Sequence, residues 1–167
     1  LAQSRGASVY ARMSGYGQAS DGYSAVLPEP DGDGLRRAIE LALKRADLSA
    51  SDIEYVNAHA PSTQMGDLAE IKALRKVFAE KGLSPMVSST KALTGHALSM
   101  ASILEAGISV LAMKNGFLPG SANFVNPEKG AEDLNIISQT RKQQIDRLIT
   151  NSSGFGGANV CLVFERE

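Results

Sequence analysis

The chain has 167 residues, 43% of them hydrophobic, and a formal net charge of -1; one compact domain with an ample core is expected. Acids and bases are scattered, so no clustered basic face for nucleic acid is present. The longest apolar stretch, 97–113, is broken by serines, Gly107 and Glu105 and falls short of the roughly 20 residues a membrane-spanning helix needs, so it reads as a buried helix.

Val9–Gly17 is β-branched and aromatic and predicts a strand. A long loop rich in Gly, Asp and Pro follows, 17–34. Leu35, Ile39, Ala42, Leu43 and Ala46 recur at helical spacing behind Asp33, whose carboxylate suits a helix start, and predict a surface helix. Ile53–Ala58 reads as a strand ending in the polar run His59-Ala60-Pro61-Ser62-Thr63-Gln64. Asp67 then opens a second helix with Leu68, Ile71, Leu74 and Phe78 on one face and Glu70, Lys72, Arg75 and Lys76 elsewhere, ended by Gly82.

Pro85–Ser88 predicts another short strand, followed by the polar loop 89–96 and the apolar helix. Later come a loop rich in Pro and Asn, a short strand near Leu134–Ile137, and two closing strands, Arg147–Thr150 and Asn159–Phe164. The closing pair, joined by 151–157, is expected to be antiparallel. Strands alternating with helices imply an α/β fold with a largely parallel, mixed sheet. In such sheets ligands gather beyond the carboxyl ends of strands, and the loops there hold both histidines of the chain.

His59 and His96 each sit in a strand-to-helix loop among hydroxyls and glycines; such residues are either solvent-facing or functional. No His-x-x-x-His and no Cys-x-x-Cys is present, so no metal is expected. Glu105 is the one charge in the apolar helix. A buried carboxylate needs a cation or hydrogen bonds, and Lys91 in the preceding loop is the nearest partner in sequence; the other reading places Glu105 at a helix edge, reaching water. The run Ser152-Ser153-Gly154-Phe155-Gly156-Gly157-Ala158-Asn159 lacks the third glycine of a dinucleotide fingerprint and leads into a strand, not a helix. It is a tight turn, either structural or close to a ligand. Cys161 is alone and cannot form an internal disulfide, which fits a reducing, cytoplasmic setting. A first residue of Leu1 leads us to expect a segment before it.

At these loops the chain resembles the Cys-His-His condensing enzymes of fatty acid and polyketide synthesis. Asn57-Ala58-His59-Ala60-Pro61-Ser62-Thr63-Gln64-Met65-Gly66-Asp67 is similar to the family's asparagine, histidine and threonine motif. Ser89-Thr90-Lys91-Ala92-Leu93-Thr94-Gly95-His96, with Glu105 beyond, is similar to its lysine and threonine-glycine-histidine motif. Asn151 to Asn159 is similar to its glycine-rich gatekeeper loop, and Ser4-Arg5-Gly6-Ala7 and Gly15-Tyr16-Gly17 fit its opening.

The resemblance implies a thiolase-like half, a five-stranded mixed sheet with helices on both faces, normally joined to an N-terminal half that holds the nucleophilic cysteine. It implies decarboxylative condensation of a malonyl carrier protein with an acyl thioester, and inactivity of this half alone. His59 and His96 are implied as hydrogen-bond donors to the malonyl thioester carbonyl, Lys91 and Glu105 as a buried supporting pair, and Phe155 as the gate and an oxyanion-hole amide. Thr63 and Pro61 fall where the phosphopantetheine arm is held; Asn57 and Glu105 match positions near a monovalent cation in some members. The implied partners are the N-terminal half, acyl carrier protein and a second copy in a homodimer, with no cofactor beyond the carrier's own arm. Pro61 replaces a threonine, Ala60 a glycine and Ser153 a bulky aromatic. The alternative is a non-catalytic partner of the chain-length-factor kind.

Overall fold

The computed structural model describes residues 3–167. Its main sheet has six strands in the order β1 (Arg12–Ser20), β8 (Ala158–Glu165), β7 (Arg147–Gly154), β2 (Tyr55–Asn57), β3 (Met86–Ser88) and β5 (Asn135–Ile136). β7, β2, β3 and β5 run parallel, whereas β8 is antiparallel to both β7 and β1. The sheet is therefore mixed, and it exceeds the expected five strands by the two-residue edge strand β5. A separate antiparallel pair, β4 (Phe117–Leu118) and β6 (Arg141–Lys142), was not foreseen.

Side chains that alternate along each strand divide the core between two helical layers. Val56, Ile149, Cys161 and Val163 pack against α1 (Asp33–Ala46) and α2 (Gln64–Val77). Their sequence neighbours Tyr55, Leu148 and Phe164 point to the opposite face and meet Ala106 and Met113 of α4 (Ala101–Asn115). Helices thus cover both faces, and no helix among the described residues is long and apolar enough to cross a membrane.

Several boundaries differ from expectation. β1 lies further along the chain than Val9–Gly17, because Gln18, Ala19 and Ser20 still pair with Val160, Asn159 and Ala158. α2 begins at Gln64 rather than Asp67, and it buries Ala69, Glu70, Ala73, Leu74 and Val77, a face turned away from Leu68 and Ile71. The polar loop 89–96 contains a short helix, α3 (Lys91–Thr94), and β7 continues through Asn151, Ser152 and Ser153. α4 starts at Ala101 and is not buried all round. Ala101, Glu105, Ala106, Ser109, Ala112 and Met113 face the sheet, while Ile103 and Leu111 remain 71% and 48% exposed, since the sheet offers this helix only one surface.

Glycines let α1 lie directly on β1. A Cβ on Gly17 would stand 1.9 Å from the Ala38 carbonyl oxygen, and one on Gly15 2.2 Å from that of Ala42, both backbone atoms that cannot rotate away. Gly17→Ala is therefore expected to push helix and strand apart at a cost of at least about 1–3 kcal/mol, which a thermal melt reads as a drop of several degrees. An unchanged midpoint would mean that α1 does not rest on β1 this closely.

Candidate functional site

β2, β3 and β7 are parallel, so their carboxyl ends open on the same edge of the sheet. The loops leaving β2 and β3 and the turn closing β7 line a cleft of about 560 Å³ there, shared with residues of the 21–32 loop. His59, Pro61, Thr63, His96 and Phe155 all line it.

Two residues beyond β2 stands His59, 8% exposed. His96, exposed, follows Gly95, whose positive φ of 71° turns the chain out of α3. The two imidazole centroids are 5.3 Å apart with the rings at 83°, edge to face. Burial, with Lys91 and His96 adding to it, holds the His59 pKa down at about 3, so its imidazole is neutral across the ordinary pH range. Its Nδ1 is buried and makes no hydrogen bond to the described residues.

Behind the rings Lys91 Nζ donates to Glu105 Oε1, both side chains almost wholly buried. Glu105 therefore pairs inward and does not reach water at a helix edge. Burial raises its pKa, while the Lys91 hydrogen bond and charge oppose that rise. Lys91 lies in the first turn after β3 and Glu105 on α4, so the pair ties the loop carrying His96 to the far helical layer.

The His59 loop is held by a residue assigned in sequence to a polar helix face. Glu70, 6% exposed, accepts hydrogen bonds from the backbone N–H of His59 at 2.8 Å and of Ala60 at 2.7 Å, and from Asn151 Nδ2 at 2.6 Å. This carboxylate joins β2, α2 and β7 at one point. Burial raises the Glu70 pKa, opposed by these three bonds. Ala60 and Ser62 have φ of 26° and 67°, strained values for residues with a Cβ.

Phe155 is 82% exposed between Gly154 and Gly156, at the cleft mouth. Its turn is pinned by a second set of polar contacts that sequence reasoning missed. Gly156 N–H donates to the Ala25 carbonyl, Asp21 N–H to the Gly157 carbonyl, and Asn159 Nδ2 to Asp21 Oδ1 at 2.7 Å. Ser153 Oγ donates to Asn159 Oδ1, so its hydroxyl joins this chain of bonds. Asn57 is fully buried, donating to the Tyr55 hydroxyl and accepting from Thr150. Among the described residues no three His, Cys, Asp or Glu side chains are grouped to hold a metal. Cys161 is buried in the α1–α2 side of the core and does not itself line the cleft, and burial raises its thiol pKa.

Two substitutions test this scaffold. Lys91→Ala leaves Glu105 buried without its cation and is expected to cost about 3–5 kcal/mol, visible in chemical denaturation; an unchanged midpoint would contradict burial of the pair. Glu70→Gln turns an amide donor toward one of three N–H groups and is expected to cost about 1–3 kcal/mol. Because burial places the folded pKa of Glu70 above its ordinary 4.5, the native state binds its proton more tightly, and this group's contribution to stability declines as pH rises from 4.5 through the raised value. That pH-dependent component should vanish in Glu70→Gln.

Residues 10–125 match the model of the β-ketoacyl synthase C-terminal domain. The chain is 41% identical over 167 residues to 3-oxoacyl-[acyl-carrier-protein] synthase 2 of Vibrio harveyi, covering 99% of this chain and 40% of that protein. Among solved structures it superimposes with a TM-score of 0.93 and 31% identity on a chain from a type II polyketide acyl-carrier protein in complex with its ketosynthase bound to the hexaketide, covering 99% of this chain and 41% of that one. A chain of the ishigamide ketosynthase/chain length factor gives 0.92 and 29%, again over 99% of this chain and 40% of that one. The chain thus spans about two fifths of the length of these relatives. With the thiolase-like fold and the motif loops brought to one edge of the sheet, the chain belongs to the β-ketoacyl synthase family, as its C-terminal domain.

Proposed function

We propose that this domain supplies the decarboxylation half-site of a β-ketoacyl-[acyl carrier protein] synthase. The observation that carries the reading is the pair of imidazoles 5.3 Å apart at the cleft, one of them buried and neutral. In the reaction, a cysteine thiolate of the N-terminal half takes an acyl group from carrier protein. Malonyl carrier protein then loses CO2, the electrons of the broken C–C bond form an enolate, and the enolate carbon attacks the acyl thioester, releasing the thiolate.

Negative charge develops on the malonyl thioester oxygen in the decarboxylation step. The imidazoles of His59 and His96, each turning an N–H to that oxygen, stabilise it, and a single preorganised donor is worth roughly 3–4 kcal/mol in comparable oxyanion sites. A cationic His59 would be disfavoured beside Lys91, whose charge helps hold its pKa low. In the acyl-transfer steps the Phe155 amide, with the cysteine's own amide, forms the oxyanion hole, and the exposed Phe155 ring gates entry. Thr63 and Pro61 border the path of the phosphopantetheine arm.

The N-terminal half is the proposed cover for the apolar surface that α4 and its approach leave open, where Leu93, Leu98, Met100, Ile103 and Leu111 are exposed. On this reading the half is inactive alone, the complete protein is a homodimer served by acyl carrier protein, and a reducing cytoplasm keeps its nucleophile available. A non-catalytic chain-length-factor role is the second reading, favoured by likeness to assemblies that include such a factor. The paired histidines give the catalytic reading precedence, because shaping a pocket does not call for two imidazoles side by side at the cleft.

In the complete protein, His59→Ala or His96→Ala is expected to depress malonyl decarboxylation by about 100-fold or more, with a much smaller effect on acyl transfer to the cysteine. Measuring the two half-reactions separately decides the matter: equal losses would remove the donor role.

A further inference from the structure

The rim of the cleft between His59 and Asp67 is poor in free donors. His59 and Ala60 spend their backbone N–H groups on Glu70, Pro61 has none, and Ser62 and Thr63 spend theirs on Asp67. Of residues 60–63, Pro61 and Thr63 line the cleft and Ser62 does not. The Thr63 hydroxyl is therefore the one donor these four residues present to a ligand there.

Thr63 is also the residue that precedes α2, the N-cap position, where a threonine hydroxyl ordinarily accepts a hydrogen bond from the second or third helical N–H. Here it makes no such bond. The third helical residue is Gly66, and a Cβ built on it would lie 2.4 Å from Thr63 Oγ1. The backbone does not require glycine at this point, since Gly66 is absent from the positive-φ positions. Inside a helix glycine is less favourable than alanine, so local stability does not account for it. The space occupied by the hydroxyl does.

We propose that Gly66 is a positioning residue: its missing side chain leaves room for Thr63 Oγ1 in the orientation that meets the arm of the carrier-bound substrate. The inference rests on the assignment of Thr63 to the arm made above. A methyl at Gly66 would not break the fold, because the atom it meets is a side-chain terminus that can rotate. Threonine has few χ1 wells, and rotation moves the hydroxyl out of its place at the cleft. With Pro61 beside it offering no replacement donor, the loss goes uncompensated.

The test is a double-mutant cycle in the complete protein, comparing wild type, Gly66→Ala, Thr63→Ala and the double variant with malonyl carrier protein as substrate. Each single change is expected to raise KM about tenfold, the scale of one lost hydrogen bond, with the loss falling on KM rather than kcat. Gly66→Ala should melt no lower than wild type. The double variant should be no worse than Thr63→Ala, because once the hydroxyl is gone the methyl has nothing to displace. A wild-type KM for Gly66→Ala beside a raised one for Thr63→Ala would overturn the positioning role and leave the arm assignment standing. A wild-type KM for Thr63→Ala would remove both. A further loss on adding Gly66→Ala to Thr63→Ala would place the effect of Gly66 elsewhere and overturn the proposal.

Discussion

The contact between Lys91 and Glu105 is the interaction on which the arrangement of the cleft depends. A carboxylate on the inner face of α4 and an ammonium at the head of α3 are each costly to bury alone, so the loop and the helix tolerate one geometry in which both charges are met. The loop that ends in His96 is thereby fixed to the helical layer on one side of the sheet. The same ammonium adds to the burial that keeps a proton off His59, which belongs to the loop leaving β2. One buried cation thus fixes the position of one imidazole and reinforces the neutrality that burial gives the other.

Glu70 is its counterpart in the α1–α2 layer. Its hydrogen-bond partners are N–H groups, two from the backbone around His59 and one from Asn151. Each histidine loop is therefore anchored to a carboxylate on a helix, in addition to the Ser89 hydroxyl that joins the two loops at the Ala60 carbonyl. The rigidity of both loops therefore comes largely from the helices beneath them. The strained φ values at Ala60 and Ser62 persist because Glu70 and Asp67 hold the backbone on either side of Pro61.

Much of this was legible in the residues. A lone charge in an apolar helix predicts a buried partner, and Lys91 was the one within reach; alternating strands and helices predict that polar loops converge at one edge. Glu70 was not legible. A glutamate three residues after an aspartate on a helix with nearby lysines and arginines has the pattern of a solvated face, and large apolar side chains drew the expected face toward Leu68 and Ile71. The small residues Ala69 and Ala73 pack closer to the sheet and win that position. The exposure of Ile103 and Leu111 was hidden for another reason: apolar residues all round a helix report that it is covered, but not whether the cover belongs to the same stretch of chain. The polar carboxyl ends of β1 and β7 lack strand character at Gln18, Ser20, Ser152 and Ser153, yet pairing with β8 extends both.

The burial of Cys161 has a practical consequence. Its sulfur is fully enclosed by the α1–α2 core and its thiol is held protonated, so electrophilic reagents that seek an accessible thiolate find no purchase in this domain. Alkylation stoichiometry measured on the complete folded protein would carry no background from this half, and a labelled peptide from it would report unfolding instead of chemistry. The domain is, in effect, silent to thiol-directed probes while it stays folded.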